Sequence, residues 1–146
     1  MTTPTAPTEP APPAALLAWK AYKSILAHVQ SGLALTDVTQ PMWWTLNHVS
    51  KAPTGLTRTE VRSRLKVYDM DPDLMLHAVD SLLHRGWLAA EGDVVVLTDA
   101  GREGMERVRE TMAGVRAALH AGISDEEYGV AVAVLQRLIA NAGGGA

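Results

Sequence analysis

The order in which helix-like and strand-like segments follow one another constrains this fold more than any other feature of the sequence. Apolar residues recur at helical spacing in four segments, two short runs of β-forming residues come next, and two more helical segments end the chain. The β-type runs at 87–90 and 94–97 are separated by three residues that include Gly92, which predicts a hairpin. The expected class is therefore mainly α with a small β-hairpin.

Capping residues define the predicted helix ends. Five of the helices begin at a residue whose side-chain oxygen can accept a hydrogen bond from the first turn, and two of these starts have capping-box spacing. Glycines mark the predicted ends of three helices, at Gly32, Gly86 and Gly122. The predicted N-caps are Thr39, Thr57, Asp71, either Thr98 or Asp99, and Ser124, and the predicted helices begin near residues 14, 39, 58, 71, 99 and 124.

Length and composition limit the classes of protein to which the chain can belong. It has 146 residues, of which 47% are hydrophobic, which is enough for one core. The formal net charge of -3 excludes a strongly basic nucleic-acid binder at the level of the whole chain, though not a local basic patch. The lack of cysteine excludes disulfides and thiolate chemistry. No apolar run approaches the roughly 20 residues of a membrane span, and the start does not read as a secretion signal, so we expect a cytoplasmic protein with no membrane partner.

Proline and threonine dominate the first thirteen residues, where five of the eight prolines lie. Such a segment cannot bury apolar surface, which predicts a disordered tail over 1–13. Consecutive glycines predict a second flexible tail at 143–146. We expect residues 14–142 between the tails to form a single domain.

Three short motifs occur in a fixed order along this domain. They read TQPMWWTL at 39–46, DSLLHRGW at 80–87 and LTDAGR at 97–102. The last two match the patterns D-x-L-x-x-R-G-[LW] and L-T-x-A-G-R that are usual in the MarR (multiple antibiotic resistance regulator) family. The chain resembles that family over about 14–142.

The resemblance implies a winged helix-turn-helix at about 39–98, flanked by dimerisation helices at about 14–31 and 99–142. It also implies a homodimer that binds double-stranded DNA with one helix in the major groove, and often a small-molecule effector held between the two regions. A solvated helix face is the alternative interpretation of the cations near 58–66. The candidate DNA-binding residues are Arg58, Arg62, Arg64, Lys66, His77, Ser81 and Arg85.

The segment that would approach DNA departs from the family's usual pattern. Asp71 and Asp73 stand at the start of the fourth helix, where small hydroxyl and basic residues are usual, and Leu76 stands where a polar residue is usual. The tip of the hairpin at 89–93 carries no cation, and over 57–87 five basic residues balance five acidic ones. We therefore expect DNA binding to be weak or atypical.

Aromatic residues concentrate on the first two predicted helices of a chain that has no phenylalanine. Tryptophan and histidine offer flat apolar surface with one polar group, which suits an aromatic or hydrophobic ligand. Ordinary core packing is the alternative, especially for Trp43. The candidate ligand-binding residues are Trp19, Tyr22, Trp43, Trp44 and His48.

Asp73, His77, Asp80 and His84 recur at helical spacing on one face of the fourth helix. In an alternative interpretation, His77, Asp80 and His84 form an acid–base cluster. The two histidines are about 10.5 Å apart along the axis, too far to bind one ion directly, so we predict neither a metal nor a cofactor. A solvated face with helical Asp–His pairs explains the same pattern.

Two functions fit these observations. The first is a dimeric MarR-type transcriptional regulator that responds to a small, aromatic or hydrophobic ligand. The alternative is a repurposed MarR-like protein without DNA binding, which acts as a small-molecule binding protein or an unusual enzyme. The sequence contains no nucleophile or phosphate-loop pattern, which favours a protein that is not an enzyme.

Overall fold

The structure is a computed structural model that describes residues 12–68 and 71–144. The predicted tail at 1–13 falls outside these residues except for its last two positions, and the predicted tail at 143–146 falls partly outside them. Along the described residues the elements follow in the predicted order, so the mainly α class with a small sheet is confirmed. The elements are α1 (Ala14–Ala34), α2 (Gln40–Ser50), β1 (Leu56–Thr57), α3 (Arg58–Leu65), a 3₁₀ turn (Lys66–Tyr68), α4 (Pro72–Arg85), β2 (Leu88–Glu91), β3 (Val94–Leu97), α5 (Asp99–Leu119) and α6 (Asp125–Asn141).

The predicted caps explain where the helices begin. The predicted N-caps Thr39, Thr57, Asp71, Thr98 and Ser124 each accept a hydrogen bond from a backbone N–H of the first turn, and those at Thr57 and Ser124 complete capping boxes. Gly86 ends α4 with a φ of 80°, and its N–H reaches the carbonyl oxygens of Leu82 and Leu83. These predictions are confirmed.

The predicted end of α1 at Gly32 is wrong. The helix continues to Ala34, and Gly32 is buried inside its last turn. Leu33 is buried as well, so packing rather than a left-handed glycine decides where this helix ends. The chain turns afterwards at Asp37, which has a φ of 56°.

The wing is a three-stranded sheet with the order β1–β3–β2. Strands β2 and β3 pair antiparallel, with Leu88 opposite Leu97, and the turn between them contains Gly92 with a φ of 64°. Strand β1 pairs with the other edge of β3 and places Leu56 opposite Val95. The sequence analysis missed β1 because a strand of two residues has no periodicity.

Helix α2 lies at the centre of the core and packs against α3, α4 and β3. Leu46 of α2, Leu65 of α3 and Leu82 of α4 have no measurable exposure. Since each helix buries one apolar stripe, its opposite face is left for contacts outside the core. The core therefore determines which side chains of α3 and α4 face outward.

Thr98 explains the motif at 97–102. Its hydroxyl donates a hydrogen bond to the carbonyl oxygen of Gly86 (2.6 Å) and accepts one from the N–H of Gly101 (3.0 Å). Its own N–H donates to the carbonyl oxygen of Trp87 (3.1 Å). Thr98 directly follows β3, and its hydrogen bonds hold Gly86 and Trp87, after α4, next to the start of α5.

The chain divides after Met112 into two compact units. The first contains α1–α4, the sheet and the first part of α5, and the second contains the rest of α5 and α6. Within the second unit, the rings of His120 and Tyr128 lie 4.5 Å apart. Every described residue of α6 except Val132 is exposed. None of the described helices is both long and apolar enough to cross a membrane. That 14–142 form a single domain stays a prediction.

Candidate functional site

Helix α3 and the turn after it carry three exposed cations besides Arg58. Thr57 and Glu60 fix the start of the helix, since the Thr57 N–H donates to Glu60 Oε2 (2.8 Å) and the Glu60 N–H donates to Thr57 Oγ1 (3.1 Å). Val61 and Leu65 are buried, which directs their neighbours outward. Arg62, Arg64 and Lys66 are exposed, and within the described part of the chain they form no salt bridge.

Arg58, at the first position of α3, is held by a carboxylate of α4. Its guanidinium Nη2 lies 2.7 Å from Asp80 Oδ1, and the two side chains are 45% and 60% exposed. A pair this exposed contributes about 0–1 kcal/mol to stability. The pair nevertheless offsets the charge that Arg58 would offer to a phosphate.

Arg85, in the last turn of α4, is directed toward the protein. Its Nη2 donates to the backbone carbonyl oxygen of Asp37 (2.7 Å) and lies 3.6 Å from the Asp37 carboxylate. The guanidinium also lies 5.0 Å from the ring centre of Trp87. Arg85 therefore ties the end of α4 to the loop between α1 and α2.

The outward face of α4 has little positive charge. Asp71 caps the helix by accepting a hydrogen bond from the Asp73 N–H (2.9 Å), and both residues stand at the N-terminal end of α4. His77 and Ser81 are exposed on the same helix. The tip of the wing, Glu91 to Asp93, is exposed and acidic.

The alternative acid–base cluster on α4 consists of one ion-paired aspartate and two exposed histidines. Asp80 is committed to Arg58, and His77 and His84 are exposed to solvent. Among the residues that the structure describes, no three histidine, aspartate or glutamate side chains lie close enough together to hold a metal ion.

Trp44 and His48 form an aromatic site with Tyr68, a residue that the sequence analysis did not single out. The rings of Trp44 and Tyr68 stack with their centres 3.9 Å apart and an interplanar angle of 7°. His48 meets Tyr68 edge-on at 6.4 Å. No signal in the sequence indicates this contact, because Tyr68 lies in the 3₁₀ turn, far from α2 along the chain.

The other aromatic candidates are placed differently. Trp43 and Trp44 are both half-buried against the core, and the ring of Trp44 stacks on Tyr68. Trp19 and Tyr22 are 56% and 64% exposed on α1, and the Lys23 ammonium lies 4.7 Å from the Trp19 ring centre. Among the described side chains, ring contacts join only Trp44 and His48 of the five candidates to a common partner.

A cavity of about 410 Å³ opens where α1 ends and α2 begins. Its lining includes Gln30 and Leu33 of α1, Asp37 of the loop and Pro41 of α2. Asp37 also accepts the hydrogen bond from Arg85, so this cavity lies beside the contact between the α1–α2 loop and the end of α4. The sequence analysis missed it because its residues come from a loop whose path the sequence does not specify.

Burial lowers the pKa of His48 below its usual value of 6.5, and the positive charges of Arg64 and Lys51 lower it further. As the pH falls, His48 is therefore protonated in the unfolded chain before it is protonated in the folded chain, so the stability of the fold decreases as the pH drops below 6.5.

We expect the melting temperature of the wild type to fall more steeply between about pH 7.5 and 5.5 than that of a His48→Gln variant. Thermal denaturation followed by circular dichroism measures both slopes, with His28→Gln as the control for loss of one histidine. Equal slopes for wild type and His48→Gln would contradict the assignment.

The fold is similar to those of solved regulators. It matches the MarR family protein Rv2887 of Mycobacterium tuberculosis in complex with DNA, with 20% identity and a TM-score of 0.71 over 88% of this chain and 98% of that one. The same mycobacterial protein in complex with salicylic acid matches with 20% identity and a TM-score of 0.66, over 87% and 98%. CouR from Rhodococcus jostii RHA1, bound to p-coumaroyl-CoA, matches with 18% identity and a TM-score of 0.71, over 86% and 91%. The sequence matches no family model and no curated protein. At these identities the likeness establishes the fold of the chain.

Proposed function

With the fold established as the winged helix-turn-helix of MarR-type proteins, we propose that this chain is a dimeric transcriptional regulator of that type. The proposed regulator binds double-stranded DNA and responds to a small aromatic or hydrophobic molecule. The observation that carries the proposal is the exposure of three cations on α3 and the turn after it, Arg62, Arg64 and Lys66.

These three exposed cations suit contacts to the phosphate backbone. In a helix-turn-helix, the first helix crosses the backbone while the second enters the major groove. Arg62, Arg64 and Lys66 belong to α3 and its following turn, and each is exposed. Phosphate contacts position a protein on DNA and provide most of its non-specific affinity.

The proposed base-reading helix offers few specific donors. Arginine to guanine and asparagine or glutamine to adenine are the usual bidentate contacts, and Arg85 is the only one of these residue types in α4. Its guanidinium is bound to Asp37. His77 and Ser81 are left as polar contacts to base edges, which supports DNA binding of modest sequence specificity.

Two exposed apolar helix faces support a homodimer. On α1, Leu16, Leu17 and Ile25 are 42–50% exposed. On α6, Leu135 and Leu138 are 44% and 45% exposed. Apolar faces of this extent mark interaction surfaces, and two-fold pairing of identical faces is the commonest arrangement among oligomers.

The aromatic site supports the binding of a small effector. Trp44 and Tyr68 present stacked rings, and Arg64 and Lys51 lie close enough to His48 to lower its pKa. Flat apolar surface beside a few polar groups is what an aromatic ligand requires. Trp44 and His48 are therefore the proposed ligand contacts.

The test is a titration of the protein with duplex DNA from the region upstream of its own gene. Each cation–phosphate contact contributes about 0.9 to the slope of log affinity against log salt concentration. We expect the Arg62→Ala/Arg64→Ala variant to bind more weakly and to reduce that slope by about 1.8. Fluorescence anisotropy at several salt concentrations measures both quantities.

The matched control removes two exposed arginines from outside the winged helix-turn-helix. Arg116→Ala/Arg137→Ala changes the net charge equally, and its slope should stay close to that of the wild type. Equal losses in the two double variants would mean that the total charge, and not the face of α3, determines binding. A wild type that binds no DNA at low salt would refute the proposal.

A small-molecule binding protein without DNA binding is the second candidate. It is favoured by the ion pair that holds Arg58, by the inward direction of Arg85 and by the acidic start of α4. The DNA titration distinguishes the two functions, because this candidate binds no DNA at any salt concentration, and native mass spectrometry then tests whether it carries a bound metabolite.

A further inference from the structure

Tyr68 occupies the position that a flat ligand would take on Trp44. The two rings are parallel to within 7° at 3.9 Å, so one face of the indole is covered by a side chain of the same protein. His48 approaches the Tyr68 ring from its edge. The aromatic site is thus filled by an internal ring.

The turn that carries Tyr68 is otherwise exposed. Leu65, the last residue of α3, is fully buried, whereas Lys66, Val67 and Tyr68 are all exposed, with Val67 at 78%. The stack on Trp44 therefore anchors a turn whose other side chains lie in solvent. The same turn leads from α3 toward α4, the helix proposed to contact bases.

We propose that Tyr68 is an internal plug of the aromatic site: a planar aromatic anion binds on Trp44 by displacing the Tyr68 ring, and so releases the turn that leads into α4. This inference rests on the proposed function, whose effector it describes more closely. The stack is then the element that couples the ligand to the DNA-binding helices.

The strength of the stack suits this role. A pair of stacked aromatic side chains changes an equilibrium constant by about two- to twelvefold. A ligand ring can replace the Tyr68 ring on Trp44, so a modest additional interaction suffices to displace it. Arg64 and Lys51, two cations near His48, supply that interaction for an anion and oppose a cationic ligand.

The experiment compares Tyr68→Ala with Tyr68→Phe in the full chain. Salicylate and 2-naphthoate serve as one-ring and two-ring aromatic anions, and isothermal titration calorimetry measures their affinities. Because the alanine variant has no ring to displace, it should bind the probes about two- to tenfold more tightly than the wild type. The phenylalanine variant keeps a ring that can stack and should resemble the wild type.

Hydrogen exchange tests the coupling to the turn. Adding 2-naphthoate to the wild type should accelerate exchange of the backbone amides of residues 66–68. The same addition should leave their exchange unchanged in Tyr68→Ala, where the turn is already released. Val67→Ala is the matched control, since it alters the same turn, keeps the stack and should respond as the wild type does.

Two kinds of result would overturn the inference. Weaker probe binding in Tyr68→Ala would mean that Tyr68 contacts the ligand, and unchanged binding would mean that Tyr68 plays no part in ligand binding. If neither probe binds to Tyr68→Ala, Trp44 is not part of a ligand site. DNA binding is scored separately. If the wild type binds no DNA but the probe affinities and the hydrogen exchange behave as expected, the proposed function is refuted and the role of Tyr68 is supported. If the wild type binds DNA but the probe affinities and the hydrogen exchange do not behave as expected, only the role of Tyr68 is refuted.

Discussion

Replacing Gly101 by alanine is expected to lower the free energy of unfolding by about 3 kcal/mol, or the melting temperature by about 6–12 °C. A Cβ at this position would collide with the backbone carbonyl oxygen of Trp87 and come within 2.8 Å of Leu97 Cδ1. The carbonyl cannot turn away easily, because it accepts a hydrogen bond from the Thr98 N–H. The start of α5 must therefore move away from the wing. Chemical denaturation of wild type and variant measures the loss.

Gly114 on the same helix is the matched control. A Cβ there has no neighbour within 4 Å, so Gly114→Ala should raise stability by about 0.5–1 kcal/mol through helix propensity alone. The two substitutions are chemically identical and should act in opposite directions. A Gly101→Ala variant as stable as the wild type would show that α5 and the wing do not approach this closely.

The order of the elements was predictable because each is encoded locally. Thr57 and Ser124 determine helix starts through their own first turns, and Gly86 ends α4 through its left-handed conformation. The strand β1 and the extension of α1 past Gly32 were not predictable in this way. Both depend on packing against distant parts of the chain, with Leu56 opposite Val95 and Leu33 in the core.

The candidate site also contains some features that local sequence predicts and others that depend on tertiary packing. Helical spacing relative to Val61 and Leu65 predicts that Arg62 and Arg64 point outward, and they do. The same spacing gives no sign of the partner that holds Arg58.

The contacts made by Arg58, Arg85 and Tyr68 required the fold. Each joins residues that are far apart in the sequence: Arg58 to Asp80, Arg85 to Asp37 and Tyr68 to Trp44. From the sequence alone, Arg58 and Arg85 are two cations that could contact DNA. In the structure each of them is paired with an aspartate. Local patterns thus predict which face a residue occupies, and tertiary structure decides whether its charge is free.

Replacing Leu135 and Leu138 by glutamate is expected to convert the proposed dimer into a monomer. The two side chains lie on the apolar stripe of α6 and are 44% and 45% exposed, so the substitutions leave the core of the chain intact. In a two-fold interface each added charge is buried without a partner and is repeated by symmetry, which opposes association strongly. Sedimentation should give twice the chain mass of 15.6 kDa for the wild type and that mass itself for the variant.

Loss of the dimer should also weaken DNA binding by about 100-fold or more, because two linked contacts to neighbouring half-sites become one. Gln136→Glu/Ala140→Glu is the matched control: it adds the same charge to the same helix outside the apolar stripe and should stay dimeric. If the control also dissociates, added charge on α6 rather than loss of its apolar face is responsible. If Leu135→Glu/Leu138→Glu stays dimeric and binds DNA normally, the dimer uses a surface other than this stripe. In both cases circular dichroism must show that the helices are intact, so that dissociation is distinguished from unfolding.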